Sequence, residues 1–181
     1  MSWTTNDKGA IAELAIATAA VKLGVVVLRP FTEGHRYDLV FELGDAFHRV
    51  QCKWGAVQKD VIVAHIGTCR HTPRGYVKTT YSSAEVDLIA VYCHELDRCF
   101  VVPIAEVAGR TYLHLRVAPA RNNQRALVKM ANDYDLDRML GQLGAIAQLG
   151  ERRAGSAKVA GSSPASSTTE QAAHTRGLFA V

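Results

Sequence analysis

No Cys-x-x-Cys pair occurs in this sequence of 181 residues: Cys52, Cys69, Cys93 and Cys99 are separated by 16, 23 and 5 residues. That spacing speaks against a zinc framework and, in a chain of this size, against a disulfide scaffold. Cys52 and Cys99 each sit in an apolar, strand-like run and read as small buried hydrophobes of a reducing compartment. No apolar run approaches the roughly 18 residues that a membrane-spanning helix needs. A basic-then-apolar leader is also missing, because Asn6, Asp7 and Glu13 interrupt the first twenty residues. The expectation is a cytoplasmic protein with no membrane partner.

What is present is a core-forming composition, 48% apolar and 21% charged. It changes sharply near residue 138. In residues 154–173, sixteen of twenty positions are Ala, Gly, Ser, Thr or Pro, and Val159 is the one large aliphatic. Such a stretch buries too little apolar area to offset its ordering entropy. The expected organisation is a folded domain over 1–138 and a disordered tail over 139–181, with a short helix through Leu136–Leu149. Within the tail, Gly144–Thr168 resembles translation across a transfer-RNA gene, AIAQLGER reading like a D-arm and AGSSP like a T-arm.

The first element is predicted to be a helix over about Asp7–Leu23, capped by Thr5 or Asn6 and stopped by Gly24. Ile11, Leu14, Ala15 and Val21 give it an apolar stripe at helical spacing. Glu13 lies off that stripe, beside Gly9, Ala17 and Ala20, where small neighbours leave its carboxylate room. Val25–Leu28, Asp38–Leu43, His48–Trp54, residues 60–66, Val86–Cys93, Cys99–Val102 and Tyr112–Val117 read as strands, with Gly44-Asp45 a hairpin signal. Ile104–Ala108 and Gln124–Met130 read as short helices. The order predicts an α+β or α/β sheet with the first helix packed on it.

Alternation along His48–Trp54 puts Val50, Cys52 and Trp54 on one face and Arg49, Gln51 and Lys53 on the other. Asp38 has the phase opposite to Leu39 and Phe41. Antiparallel pairing of the two strands then brings Asp38 beside Gln51 and Lys53. A carboxylate, an amide oxygen and an ammonium together suit Mg²⁺ and a phosphate. Between Arg49 and Lys78 there are six basic residues and one acid, Asp60, the composition of a phosphate-facing surface or of a solvated basic loop.

These residues also resemble a known family. Glu13 in KGxxxE of the helix, Asp38 in RYDLVFE, Gln51 and Lys53 in VQCKW, and the later stretch YSSAEVDLIAVYCHELDRCFVVP look like a PD-(D/E)XK nuclease core over about 7–135. Gln51 replaces the second acid, as in the group I intron-encoded homing endonuclease branch, and Tyr37 stands where the motif has Pro. The resemblance implies a restriction-endonuclease-like α/β (α+β) core with a central mixed sheet flanked by helices. It implies Glu13, Asp38 and Gln51 as ligands of Mg²⁺, with Mn²⁺ able to substitute. Lys53 becomes the general-base or charge-stabilising partner. The reaction implied is hydrolysis of phosphodiesters in double-stranded DNA, by a homodimer or homotetramer.

Arg36, Lys59, Arg70, Arg74, Lys78, Ser82 and Ser83 are the candidate DNA contacts, with Arg36 alternatively paired to Glu33 and the serines alternatively a plain turn. Trp54 reads as core, and His65 and His71 as polar residues outside the chemistry. Two other functions fit the same residues. One is a structure-specific nuclease such as a Holliday-junction resolvase, which shares this core. The other is a catalytically silent DNA-binding module, given the neutral Gln51.

Overall fold

The computed structural model describes residues 2–73, 75–119 and 128–145, without the side chains of 69–72. Helix α1 (Thr5–Lys22) begins two residues earlier than predicted. Thr4 and Asp7 form a reciprocal cap: the Asp7 N–H donates to Thr4 Oγ1 at 3.2 Å and the Thr4 N–H to Asp7 Oδ2 at 2.9 Å. Gly24, at φ +81°, closes the helix.

The strands are β1 (Val26–Leu28), β2 (Leu39–Leu43), β3 (Ala46–Gln58), β4 (Val61–His65), β5 (Thr68–Thr72), β6 (Gly75–Thr79), β7 (Leu88–Cys93), β8 (Arg98–Pro103) and β9 (Tyr112–Arg116). Seven of them form one mixed sheet, and β5 and β6 form a separate hairpin. That hairpin occupies what the sequence suggested was a basic loop. Residues 136–145 form a second helix, α2. Of the predicted helix Gln124–Met130, residues 124–127 lie outside the described residues. Lys129 and Met130 are not helical: the Arg116 N–H donates to the Lys129 carbonyl, and Met130 bridges to Arg116. Ile104–Glu106 is a single 3₁₀ turn.

Strand β7 is buried along its whole length, which its unbroken apolar run LIAVYC requires. It pairs parallel to β3, and β2 and β4 pair antiparallel to β3. Val50 has partners in both β2 and β7, and Gly55 has partners in both β4 and β7. One edge of β3 is therefore taken by β7, and the other is shared by β2 and then β4. Between the two, Gln51–Trp54 face a gap in the sheet. Gly55 is needed where three strands converge, since a Cβ there would lie 2.7 Å from Val91 Cγ1 and 2.9 Å from Ile62 Cγ2.

Two cores cover the two faces of the sheet. One packs α1 and α2 against Leu39, Phe41, Val50, Cys52 and Ala90, and Leu136, Met139 and Leu140 of α2 are buried in it. The other collects Ile62, Ile66, Ile89, Val91, Phe100, Leu115 and Tyr81. Half of the predicted apolar stripe of α1 packs, Ile11 and Ala15 being partly buried against the first core. Ala12, Ile16 and Ala20 are buried, whereas Leu14 and Val21 are 65% and 58% exposed. Alanines let the helix axis approach the sheet closely, and that face wins over the bulkier one. Trp54 borders the first core as expected, stacked on His94 and edge-on to Tyr92.

Candidate active site

The gap in β3 is where the chemistry gathers. Residues alternate in the direction of their backbone groups along a strand, so the Cys52 N–H points into the gap with no strand to receive it. Asp38, just before β2, supplies the acceptor: its Oδ2 takes the Cys52 N–H at 2.7 Å and also the Gln51 Nε2. The Asp38 N–H continues the ladder to the Val50 carbonyl at 2.9 Å. A carboxylate thus stands in for a strand partner and is fixed by backbone. Gln51 is buried, and its Nε2 also reaches the Cys52 carbonyl at 3.4 Å, which leaves its amide oxygen as the atom free to ligate.

Lys53 reaches the same site from β3. Its Nζ lies 3.3 Å from the Tyr81 hydroxyl and 5.3 Å from that ring's centre, and it interacts electrostatically with Asp38. Glu13, on α1, meets Asp38 across a cleft of ≈ 590 Å³ whose walls include Arg29, Phe31, His35 and Tyr37. Asp38, Gln51 and Lys53 thus come together as the strand alternation predicts, and Glu13 faces Asp38 across the cleft.

Their electrostatics are those of a partly desolvated anionic pair facing Lys53 on one side and Arg29 on the other. Burial raises the Asp38 pKa, against the opposing pull of the Cys52 N–H, Lys53 and Gln51. Burial and then the Asp38 charge raise Glu13, and Arg29 works the other way. Burial depresses Lys53, which makes its proton easier to lose. Tyr81 is pushed up to about 12 by burial, so its hydroxyl stays protonated.

Among the described residues no group of three His, Cys, Asp or Glu side chains gathers. A metal ion held here would have two carboxylates and the Gln51 amide oxygen as protein ligands. That all-oxygen set fits a hard divalent cation that keeps water or phosphate in its other positions. Cys52 does not join it: its thiol belongs to the helix-covered core, and burial pushes its pKa far up.

Among the described residues of the basic stretch, Arg49 and Lys53 do not join an open surface. Arg49 is tied to Asp87 at 2.9 Å and to the Ser83 carbonyl at 3.0 Å, clamping the 82–87 turn to β3. Arg36 pairs with Glu85 at 2.8 Å rather than with Glu33, and its guanidinium lies 4.5 Å from the centre of the Tyr81 ring. Ser82 makes a turn: its N–H and Oγ both donate to Glu85, at 3.1 and 3.0 Å. Lys59 sits at φ +58° in the two-residue turn between β3 and β4, and Lys78 is exposed on β6. Arg74 and the Arg70 side chain lie outside the described residues. Sequence reasoning missed Arg29 and Tyr81. Arg29 is a lone cation at the end of a short strand, and Tyr81 opens a stretch that carried signal only as a whole.

A family model described as PD-(D/E)XK endonuclease matches residues 3–137. Among solved structures, that of a bacterial homing endonuclease is similar, with a TM-score of 0.60 and 24% identity over 84% of this chain and 99% of the other. The shared fold is the restriction-endonuclease-like α+β core. A search of curated proteins finds no match.

Proposed function

Because the chain belongs to the PD-(D/E)XK endonuclease family, a group of hydrolases that use divalent metal ions, we propose that it is a Mg²⁺-dependent, site-specific enzyme cutting double-stranded DNA, a homing endonuclease. The observation that carries this reading is the Asp38 carboxylate held in the β3 gap by the Cys52 N–H, with Gln51, Lys53 and Glu13 facing it. The likeness to the bacterial homing endonuclease supports the fold on which that site is built. Mg²⁺, or Mn²⁺ in its place, would be held by Glu13, Asp38 and the Gln51 amide oxygen, and when bound supplies Lewis acidity to the scissile phosphate and its attacking water.

The protein's own contribution is positional and electrostatic. Asp38 is immobilised by backbone, so its oxygens do not have to be ordered as the substrate arrives. Gln51 holds Asp38 without adding a third negative charge to a buried site. Lys53, with its proton loosened by burial, either takes a proton from the attacking water or balances charge on the phosphate, and Tyr81 fixes where its Nζ stands. We further propose that Lys59, Arg70, Arg74 and Lys78 contact phosphates, and that two copies act together, one per strand, as a homodimer or within a homotetramer. The catalytic unit is residues 1–138 with the packed start of α2, and the remaining tail takes no part.

The test is incubation of the protein with Mg²⁺ and a mixed plasmid library. Cleavage at one long duplex site that vanishes in Asp38→Ala and Lys53→Ala is the expected result. Cutting of any four-way junction regardless of sequence makes it a resolvase. Tight duplex binding with no nicking makes it a DNA-binding module and ends the proposal.

A further inference from the structure

Arg29 has no role in the mechanism above, yet it lines the cleft of Glu13 and Asp38. Its guanidinium lies 3.2 Å from Glu13 Oε2, and it draws the pKa values of both acids downward. Its side chain is 72% exposed while that of Glu13 is 27% exposed. Arg29 is thus anchored to the site at its tip and to solvent along its length. It is followed by Pro30 and by Phe31, which is fully exposed on the same wall.

The charges explain what the contact does. Two carboxylates, Glu13 and Asp38, face two cations, Arg29 and Lys53. A divalent cation entering between the carboxylates leaves this balance two units too positive and competes with Arg29 for the Glu13 carboxylate. Lys53 is half-buried and tethered to Tyr81, so the more exposed partner is the one that leaves. A freed guanidinium on the cleft's outer wall meets the duplex, and its planar fork suits a phosphate better than an ammonium would.

We propose that Arg29 is a metal-released phosphate-binding residue: Glu13 holds it while the acids lack a cation, and a divalent cation frees it to grip the DNA backbone. The inference rests on the metal-dependent reading of the site and adds a residue and an order of events to it.

Two measurements on the full chain test it without any cleavage. In calorimetric titration with Mn²⁺ alone, Arg29→Ala binds several-fold more tightly than wild type, because the competitor for Glu13 is gone. In titration of a 30-base-pair duplex of arbitrary sequence, the logarithmic salt slope of Arg29→Ala in Ca²⁺ is smaller than that of wild type by about one. In EDTA the two slopes agree. Glu13→Gln supplies the converse, since it frees Arg29 without a cation and steepens the slope in EDTA. Unchanged or weaker Mn²⁺ binding by Arg29→Ala overturns the proposal, and so does an equal slope difference in EDTA and Ca²⁺. If wild type takes up no Mn²⁺ that Asp38→Ala abolishes, the parent reading of the site fails first.

Discussion

Gln51 is where this site departs from two acids on adjacent strands, and exchanging it measures what the departure does. Its side chain is 7% exposed, and its Nε2 donates to Asp38 Oδ2. Gln51→Glu keeps the shape, removes the donor and sets a second carboxylate against the half-buried Asp38. The lost hydrogen bond to a charged group is worth about 1.5–3 kcal/mol. Repulsion adds to it until one of the two carboxyls takes a proton. A net loss of roughly 2–4 kcal/mol lowers Tm by roughly 5–15 °C in a chain of this size.

The pH dependence has a definite sign. The pair's upper pKa is raised above its unfolded value, so stability is present at low pH and is lost as pH rises through the folded pKa. The Tm deficit of Gln51→Glu is therefore large near pH 8 and shrinks toward pH 5. Adding Mn²⁺ near pH 8 narrows it as well, since the cation binds the extra carboxylate. Thermal denaturation followed by circular dichroism at both pH values, with EDTA or Mn²⁺, reads all three effects. A variant as stable as wild type near pH 8 in EDTA, or a deficit indifferent to pH, refutes the placement of Gln51 against Asp38.

Asp38→Asn abolishes cleavage yet raises Tm at neutral pH in EDTA, because burial penalises the ionised carboxyl and the amide oxygen can still accept the Cys52 N–H. The gain fades as pH falls and wild-type Asp38 protonates, which a pH series of melts checks. Tyr81→Phe keeps the ring beside Arg36 and Lys53 but removes the hydroxyl from Lys53. It lowers kcat about tenfold with KM unchanged, the effect of losing one hydrogen bond to a charged group; a matching rise in KM in steady-state cleavage contradicts the positioning role. Gly55→Ala forces a Cβ against Val91 and Ile62 and costs about 1–3 kcal/mol, read from urea unfolding.

Much of the site was legible before any coordinates, for a simple reason. Period-2 alternation in VQCKW and the antiparallel hairpin signal at Gly44-Asp45 suffice to put Asp38 beside Gln51 on one face. Hydropathy was half right on α1, where Ile11 and Ala15 pack as the stripe predicts, Leu14 and Val21 face solvent, and Ala12, Ile16 and Ala20 fill the centre of the contact. Closeness of approach, which depends on side-chain bulk against a particular surface, is absent from a hydropathy pattern. The basic run from Arg49 to Lys78 is divided in a related way. Its charges are neighbours along the chain, but Arg49 is spent on Asp87 and Lys53 turns inward.

The sequence by itself determined the strand faces, the hairpin that joins β2 to β3 and the choice of oxygen donors, since each follows from backbone geometry and from the chemistry of single residues. Only the tertiary structure decided that β2 and β4 would share an edge of β3 and leave a gap. It also decided that Asp38 would take the Cys52 N–H exposed there, and that Arg29 would close on Glu13. Those contacts join segments remote along the chain, and which of them form depends on how whole elements pack against one another.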